Sequence, residues 1–172
     1  MNRSIAWSKK GERAIVTAPK TKANNITILG AIASYGVLNI SVVNKGKGGT
    51  VTGHYFNFVA ATLDVLDRHE QFKGHYIVMD NVSIHTRLDI QKYIEQRGYG
   101  CIYLPPYSPE LNPIKQFWSV CKSKLKRQKL LKEETLSSRI GEACNNIFLS
   151  DLQGFCRYSV SKFQACLDGE PL

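Results

Sequence analysis

Apolar positions along the chain change period several times, and each change predicts an element. "ITILGAIAS", from Ile26 to Ser34, and "VLNISVV", up to Val43, are short, apolar and β-branched. With Tyr35-Gly36 as the turn between them they predict a β-hairpin. After the loop "NKGKGGT" the period becomes helical. Thr52 is the expected N-cap of a helix running to about Arg68, with Tyr55, Phe58, Val59, Leu63 and Leu66 on one face. "HYIVMD" is a short apolar strand ending on a carboxylate, Asp80. A helix from Thr86 to Arg97, closed by Gly98, leads to another apolar strand, "YGCIYL".

The next stretch, "YLPPYSPELNPIKQFWSVCK", starts stiff and turns amphipathic. Pro105, Pro106 and Pro109 fix the backbone and bias the residues before them to extended conformations. Asn112 is a suitable N-cap, and Pro113 sits at the first helical position, where a missing N–H costs nothing. The helix should run from Pro113 to about Leu131. Helical segments near Thr135–Leu149 and Leu152–Leu167 follow. The order β-β-α-β-α-β-α-α-α predicts an α/β fold with a mixed sheet flanked by helices: an antiparallel hairpin, and parallel, buried strands at Tyr76 and Cys101.

The 172 residues, 43% hydrophobic and 22% charged, suit one domain with a real core. Neither a bilayer-spanning apolar run nor an apolar signal core is present, so a soluble nuclear or cytoplasmic protein with no membrane partner is expected. A net charge of +9 and a pI near 9.4 favour an anionic partner, of which nucleic acid is the commonest. The five cysteines are odd in number and lack CxxC spacing, which disfavours zinc and disulfide frameworks and predicts reduced core thiols. "GKGGT" lacks the spacing of a phosphate-binding loop.

Two positions could carry chemistry. Asp80 lies at the C-terminal end of a strand, where open α/β sheets place their sites; taken alone, a side chain that caps the following turn is the commoner use of such an Asp. Lys115 occupies the third helical position after Asn112. A capping box has Glu or Gln there, and the helix dipole makes a lysine unfavourable by about 0.3–1 kcal/mol. The crossover through the 86–97 helix and the next strand brings both positions to the same sheet edge.

"IVMDNVSIHTR" followed by "YLPPYSPELNPIKQFW" closely resembles the catalytic core of mariner-type DDE transposases, and the likeness extends from "WSKKGERA" through about Lys126. The resemblance implies an RNase H-like fold and a site where three carboxylates hold two Mg²⁺ or Mn²⁺ ions for phosphoryl transfer on DNA. The family's second acid, a metal ligand, falls on Asp80. Its third falls on Lys115, which while charged has donors and no lone pair. Its first belongs to a strand preceding "WSKKG", so the sheet is expected to lack its first, central strand. Glu12 and Glu110 stand at the wrong places to substitute. Metal is therefore not expected to bind productively.

The resemblance also implies roles for the neighbours of these positions. Asn81 and His85 could orient substrate or water, or serve structural hydrogen bonds. Lys122, Lys124, Lys126, Arg127, Lys129 and Lys132 form a basic run uninterrupted by acid until Glu133. In such a fold they read as non-specific contacts to DNA phosphates. Tyr107, Phe117 and Trp118 read as packing residues. The family's N-terminal helix-turn-helix region has no counterpart here. The expectation is one partial domain over 1–172, with a core to about 132 and a helical segment over about 133–172. It should bind DNA, oligomerise as transposase assemblies do, and be inactive as an enzyme. The alternatives are a fragment of an active metal-dependent endonuclease and a domesticated protein-binding scaffold.

Overall fold

The computed structural model describes residues 9–11, 26–44, 52–80, 84–127 and 135–170. The hairpin forms as strands β1 (Ile26–Ala33) and β2 (Gly36–Asn44), antiparallel, with Ser34 and Tyr35 in the turn. Helix α1 spans Thr52–Leu66, β3 Tyr76–Met79, α2 Ile84–Gln96 and β4 Gly100–Tyr103. Then come α3 (Pro113–Arg127), α4 (Leu136–Asn145), α5 (Leu149–Ser161) and the short α6 (Phe163–Leu167). The predicted helix over 135–149 stops at Asn145, and Lys162 divides the one predicted over 152–167. The expected end of α3 near Leu131 and the loop "NKGKGGT" beyond Asn44 lie outside the described residues. No described helix is long and apolar enough to cross a membrane.

The expected single mixed sheet is not what the described residues form. They make two separate two-stranded sheets, β1-β2 antiparallel and β3-β4 parallel, with no ladder between them. The expected full burial of β3 and β4 also fails. Ile77, Met79, Cys101 and Tyr103 face α1 and α2, but Tyr76, Val78 and Ile102 on the other face are 66%, 47% and 43% exposed. The reason is coverage: helices pack one face of this sheet, and no described element covers the other.

The two sheets share a floor. The α1 stripe of Phe58, Val59, Leu63 and Leu66 is buried as the periodicity predicts, with Phe72, Met79, Ile90, Ile94 and Tyr99. Leu29, Ala31 and Leu38 of the hairpin pack on the same cluster. The hairpin's opposite face meets a second cluster, built on Phe117 and Cys121 of α3, Ile140 and Cys144 of α4, and Leu152 of α5. Alternation along β1 gives this double use, Leu29 and Ala31 facing the first cluster and Ile28 and Ile32 the second, and β2 reaches it through a β-bulge. Ala31 pairs with Asn39 and Ile32 with Val37, leaving Leu38 as the extra residue. The extra residue breaks the alternation, so Leu38 packs on the first cluster while Ile40, two positions on, packs on the second with Val37. Asn39 fastens the bulged strand to α1 by donating to Thr62 Oγ1 at 3.1 Å.

Gly30 of β1 seats α3. A Cβ built there would lie 2.5 Å from Trp118 Cζ2, so the indole occupies the space a side chain would need. Trp118 in turn stands edge-on to the fully buried Phe117, with centroids 5.0 Å apart.

The C-terminus of α2 ends as predicted. Gly98 has φ +84°, and its N–H bonds Glu95 O at 3.0 Å while Tyr99 N–H bonds Ile94 O at 3.3 Å, the two bonds of a Schellman motif. This turn aims Arg97 at Asp64 and Asp67 of the α1 end, and Tyr99 Oη donates to Asp67 Oδ1 at 2.8 Å. The Arg97 and Tyr99 hydrogen bonds hold the Asp67 carboxyl below its ordinary range. Burial, then the bond to Asp67, pushes the Tyr99 phenol up to about 12.

Two outcomes follow. Gly30→Ala should destabilise the chain by about 1–3 kcal/mol in urea denaturation, and a Trp118→Leu background should shrink that cost. Because the folded-state pKa of Tyr99 is raised, its contribution is complete below the unfolded value near 10. It is lost as pH rises toward about 12. Denaturation midpoints taken from pH 9 upward should therefore fall less steeply in Tyr99→Phe than in the parent.

Candidate functional site

The site forms where β3 ends and α3 begins. Leu104 N–H bonds Met79 O at 2.9 Å, continuing the β3-β4 ladder to the residue before Asp80. The chain then leaves the sheet through Pro105 and Pro106. Tyr107 takes φ +61°, an uncommon conformation for a residue with a Cβ, and its ring is fully exposed. A single 3₁₀ turn, Pro109–Leu111, brings the path back, and Leu111 anchors it by burial.

Asn112 is the hinge of the arrangement. It is buried, at 6% exposure. Its Oδ1 accepts from Ile114 N–H at 3.2 Å, the capping bond the sequence predicts. Its Nδ2 donates to Asp80 Oδ1 at 2.7 Å. One amide therefore starts α3 and holds the strand-end carboxylate. Lys115, in the first turn, donates from Nζ to Asp80 Oδ2. Both side chains of this ion pair are about half exposed. Beneath them Tyr55 Oη meets Met79 Sδ at 3.5 Å, and burial, followed by the negative charge of Asp80, raises the Tyr55 phenol.

This donor set does not suit a divalent cation. Mg²⁺ and Mn²⁺ need several converging oxygens. Asp80 presents its two oxygens to an amide and an ammonium, and no group of three His, Cys, Asp or Glu that could hold a metal occurs among the described residues. The Lys115 ammonium sets a positive charge against this carboxylate, and it repels a further cation there. Glu110 belongs to the 3₁₀ turn, and Glu12 lies outside the described residues.

The sequence reading brought Asp80 and Lys115 to one sheet edge, and the structure joins them directly. It missed the second role of Asn112 and the position of Tyr55. An Asn-Pro pair at a helix start signals a cap, but nothing local says which carboxylate the other end of the amide will meet.

Among the basic residues, Lys122 is exposed on α3. Lys124 donates to Asn146 O at the end of α4 and stands 6.0 Å from the centroid of the Phe148 ring, so its ammonium is engaged within the fold. The backbones of Lys126 and Arg127 are in α3, but their side chains lie outside the described residues, as do Lys129, Lys132 and Asn81. His85 is in the first turn of α2, and its side chain also lies outside them.

The family model described as DDE superfamily endonuclease matches residues 1–137. Among solved structures, the catalytic domain of Mos1 mariner transposase superposes with a TM-score of 0.69 at 15% identity, covering 86% of this chain and 74% of that one. The Mos1 paired-end complex with Mn gives 0.76 at 17% identity, covering 98% and 51%. The Mos1 strand transfer complex gives 0.74 at 16%, covering 98% and 50%. The chain thus spans about three quarters of the isolated Mos1 domain and about half of the longer transposase chains. At these identities the likeness establishes a shared fold, the α/β, RNase H-like arrangement of small sheets and helices. No curated protein matches the chain by sequence.

The two contacts to Asp80 should differ in weight. Asn112→Ala removes a cap and a buried hydrogen bond and should cost about 1–2 kcal/mol. Lys115→Ala removes a half-exposed ion pair and should cost less than about 1 kcal/mol. Urea denaturation of both variants measures the difference.

Proposed function

We propose, from the premise that the chain belongs to the DDE superfamily endonucleases, that it is a transposase-derived domain that binds DNA without cutting it. The observation that carries this reading is the engagement of both Asp80 oxygens, by Asn112 and by Lys115. Two-metal chemistry requires free carboxylate oxygens to gather the ions. Here the position of the third acid holds a lysine, whose charge repels a metal and whose ammonium occupies the one acid beside it.

The absence of a ladder between β1 and β3 supports a further part of the reading. The two strands pack on one apolar floor but do not pair. On this proposal they flank the place of a central strand, the one that carries the family's first acid and that the described residues lack.

DNA contact rests on charge. The excess of +9 and the basic run on and after α3 would displace counterions from phosphates without reading sequence. Lys122, Lys126, Arg127 and Lys129 are the assigned contacts, and Lys124 contributes less because its ammonium serves the α4 end. A domain with this partner works in the compartment that holds DNA. The paired-end complex of Mos1 supports assembly into oligomers on that DNA. The exposed Tyr76, Val78 and Ile102 face favours a second reading, a scaffold for another protein. A partner that stays bound after nuclease treatment would select it.

Fluorescence anisotropy with a labelled duplex tests the proposal. Affinity should fall linearly in log K against log salt, with a slope of about −0.9 per phosphate neutralised. Lys122→Glu with Lys126→Glu should flatten that slope. With Mn²⁺ present the duplex should stay intact. No binding at low salt would remove the DNA reading, and Mn²⁺-dependent nicking abolished by Asp80→Ala would remove the inactivity.

A further inference from the structure

The second core contains a pair of nucleophilic groups that the proposed function does not use. Cys121 lies on α3 and Cys144 on α4, 23 positions apart in sequence. Their Sγ atoms are 3.5 Å apart, and the two residues are 1% and 0% exposed. They sit among Phe117, Ile140, Ile147 and Leu152, so the two thiols have each other as polar company in an apolar setting.

A disulfide needs sulfurs about 2.05 Å apart, so the pair must close by about 1.5 Å, within reach of side-chain rotation and a small helix shift. We propose that Cys121 and Cys144 form an oxidation-driven disulfide clasp that fixes α3 against α4. The co-reactant is a small hydroperoxide, because burial excludes bulky oxidants.

The chemistry balances. The Cys144 sulfur attacks a peroxide oxygen: an S–O bond forms, the O–O bond breaks, and the leaving hydroxide takes a thiol proton to become water. The Cys121 sulfur then attacks the Cys144 sulfur: the S–S bond forms, the S–O bond breaks, and the second hydroxide leaves as water with the other thiol proton. The two sulfurs give up two electrons and the two peroxide oxygens accept them. The order of attack follows the local hydrogen bond. Either sulfur can donate across the 3.5 Å contact; the thiol that accepts is the one lowered and attacks first, written here as Cys144.

The clasp closes a loop that contains the basic run from Lys122 to Lys132, so it would restrain the proposed DNA-binding segment at both ends. The clasp itself rests on core geometry and stands whether or not DNA binds.

Hydrogen peroxide treatment of the intact chain, followed by denaturing alkylation and peptide mass mapping, tests it. The expected result is loss of two of the five titratable thiols. A linked peptide pair holding Cys121 and Cys144 should appear, two hydrogens lighter than the reduced pair. The melting temperature should rise by roughly 5–10 °C and return with dithiothreitol. In Cys121→Ser, Cys144 should stop at the sulfenic acid and be trapped by dimedone, with no linked peptide. Linkage of any other pair, sulfinic acid at both positions, unchanged thiols, or a lower melting temperature in the linked form would overturn the clasp. The mapping on the parent chain decides the question even if the serine variant fails to fold.

Discussion

The site depends on how the start of α3 is pinned to the end of β3. Asn112 divides one buried amide between the first turn of the helix and the Asp80 carboxylate. Lys115 takes the remaining carboxylate oxygen. A lysine in the first helical turn opposes the dipole by about 0.3–1 kcal/mol, and the adjacent carboxylate offsets that. The Lys115 ammonium and the Asp80 carboxylate offset each other's charge at the strand end.

That pin also explains how two unjoined sheets stay in one fold. Helix α3 touches both of them. Through Asn112 and Lys115 it holds the end of β3, and through Trp118 it sits in the space that Gly30 leaves on β1. On the opposite side α1 and α2 provide the common apolar floor, closed at its far end by Arg97, Asp64, Asp67 and Tyr99. The hairpin serves both layers through its alternating faces, and the bulge at Leu38 sets which face the rest of β2 presents. Side-chain packing thus does work that backbone hydrogen bonds across the gap between β1 and β3 do not.

Much of this was legible in the sequence, for identifiable reasons. The α1 stripe, the hairpin, the parallel strand pair and the glycine stop after α2 follow from periodicity and cap chemistry, which are local. The convergence of Asp80 and Lys115 was legible because a single crossover unit separates them, and the transposase resemblance named the same two positions. Separation of the sheets was not legible from periodicity alone, because strand pairing is decided by partners elsewhere in the chain. The bulge was hidden for a similar reason: the run Val37 to Val43 has no residue that announces a break in alternation. Lys124 read as a phosphate contact because a lysine among lysines looks solvated, and only the position of Asn146 shows that its ammonium caps α4.

The central proposal is that the Asp80–Lys115 pair takes the place of a metal site and holds no divalent ion. Isothermal titration of Mn²⁺ into the intact chain measures this directly. The account predicts no saturable heat, and an unchanged trace in Asp80→Ala. Saturable Mn²⁺ binding that disappears in Asp80→Ala would contradict it.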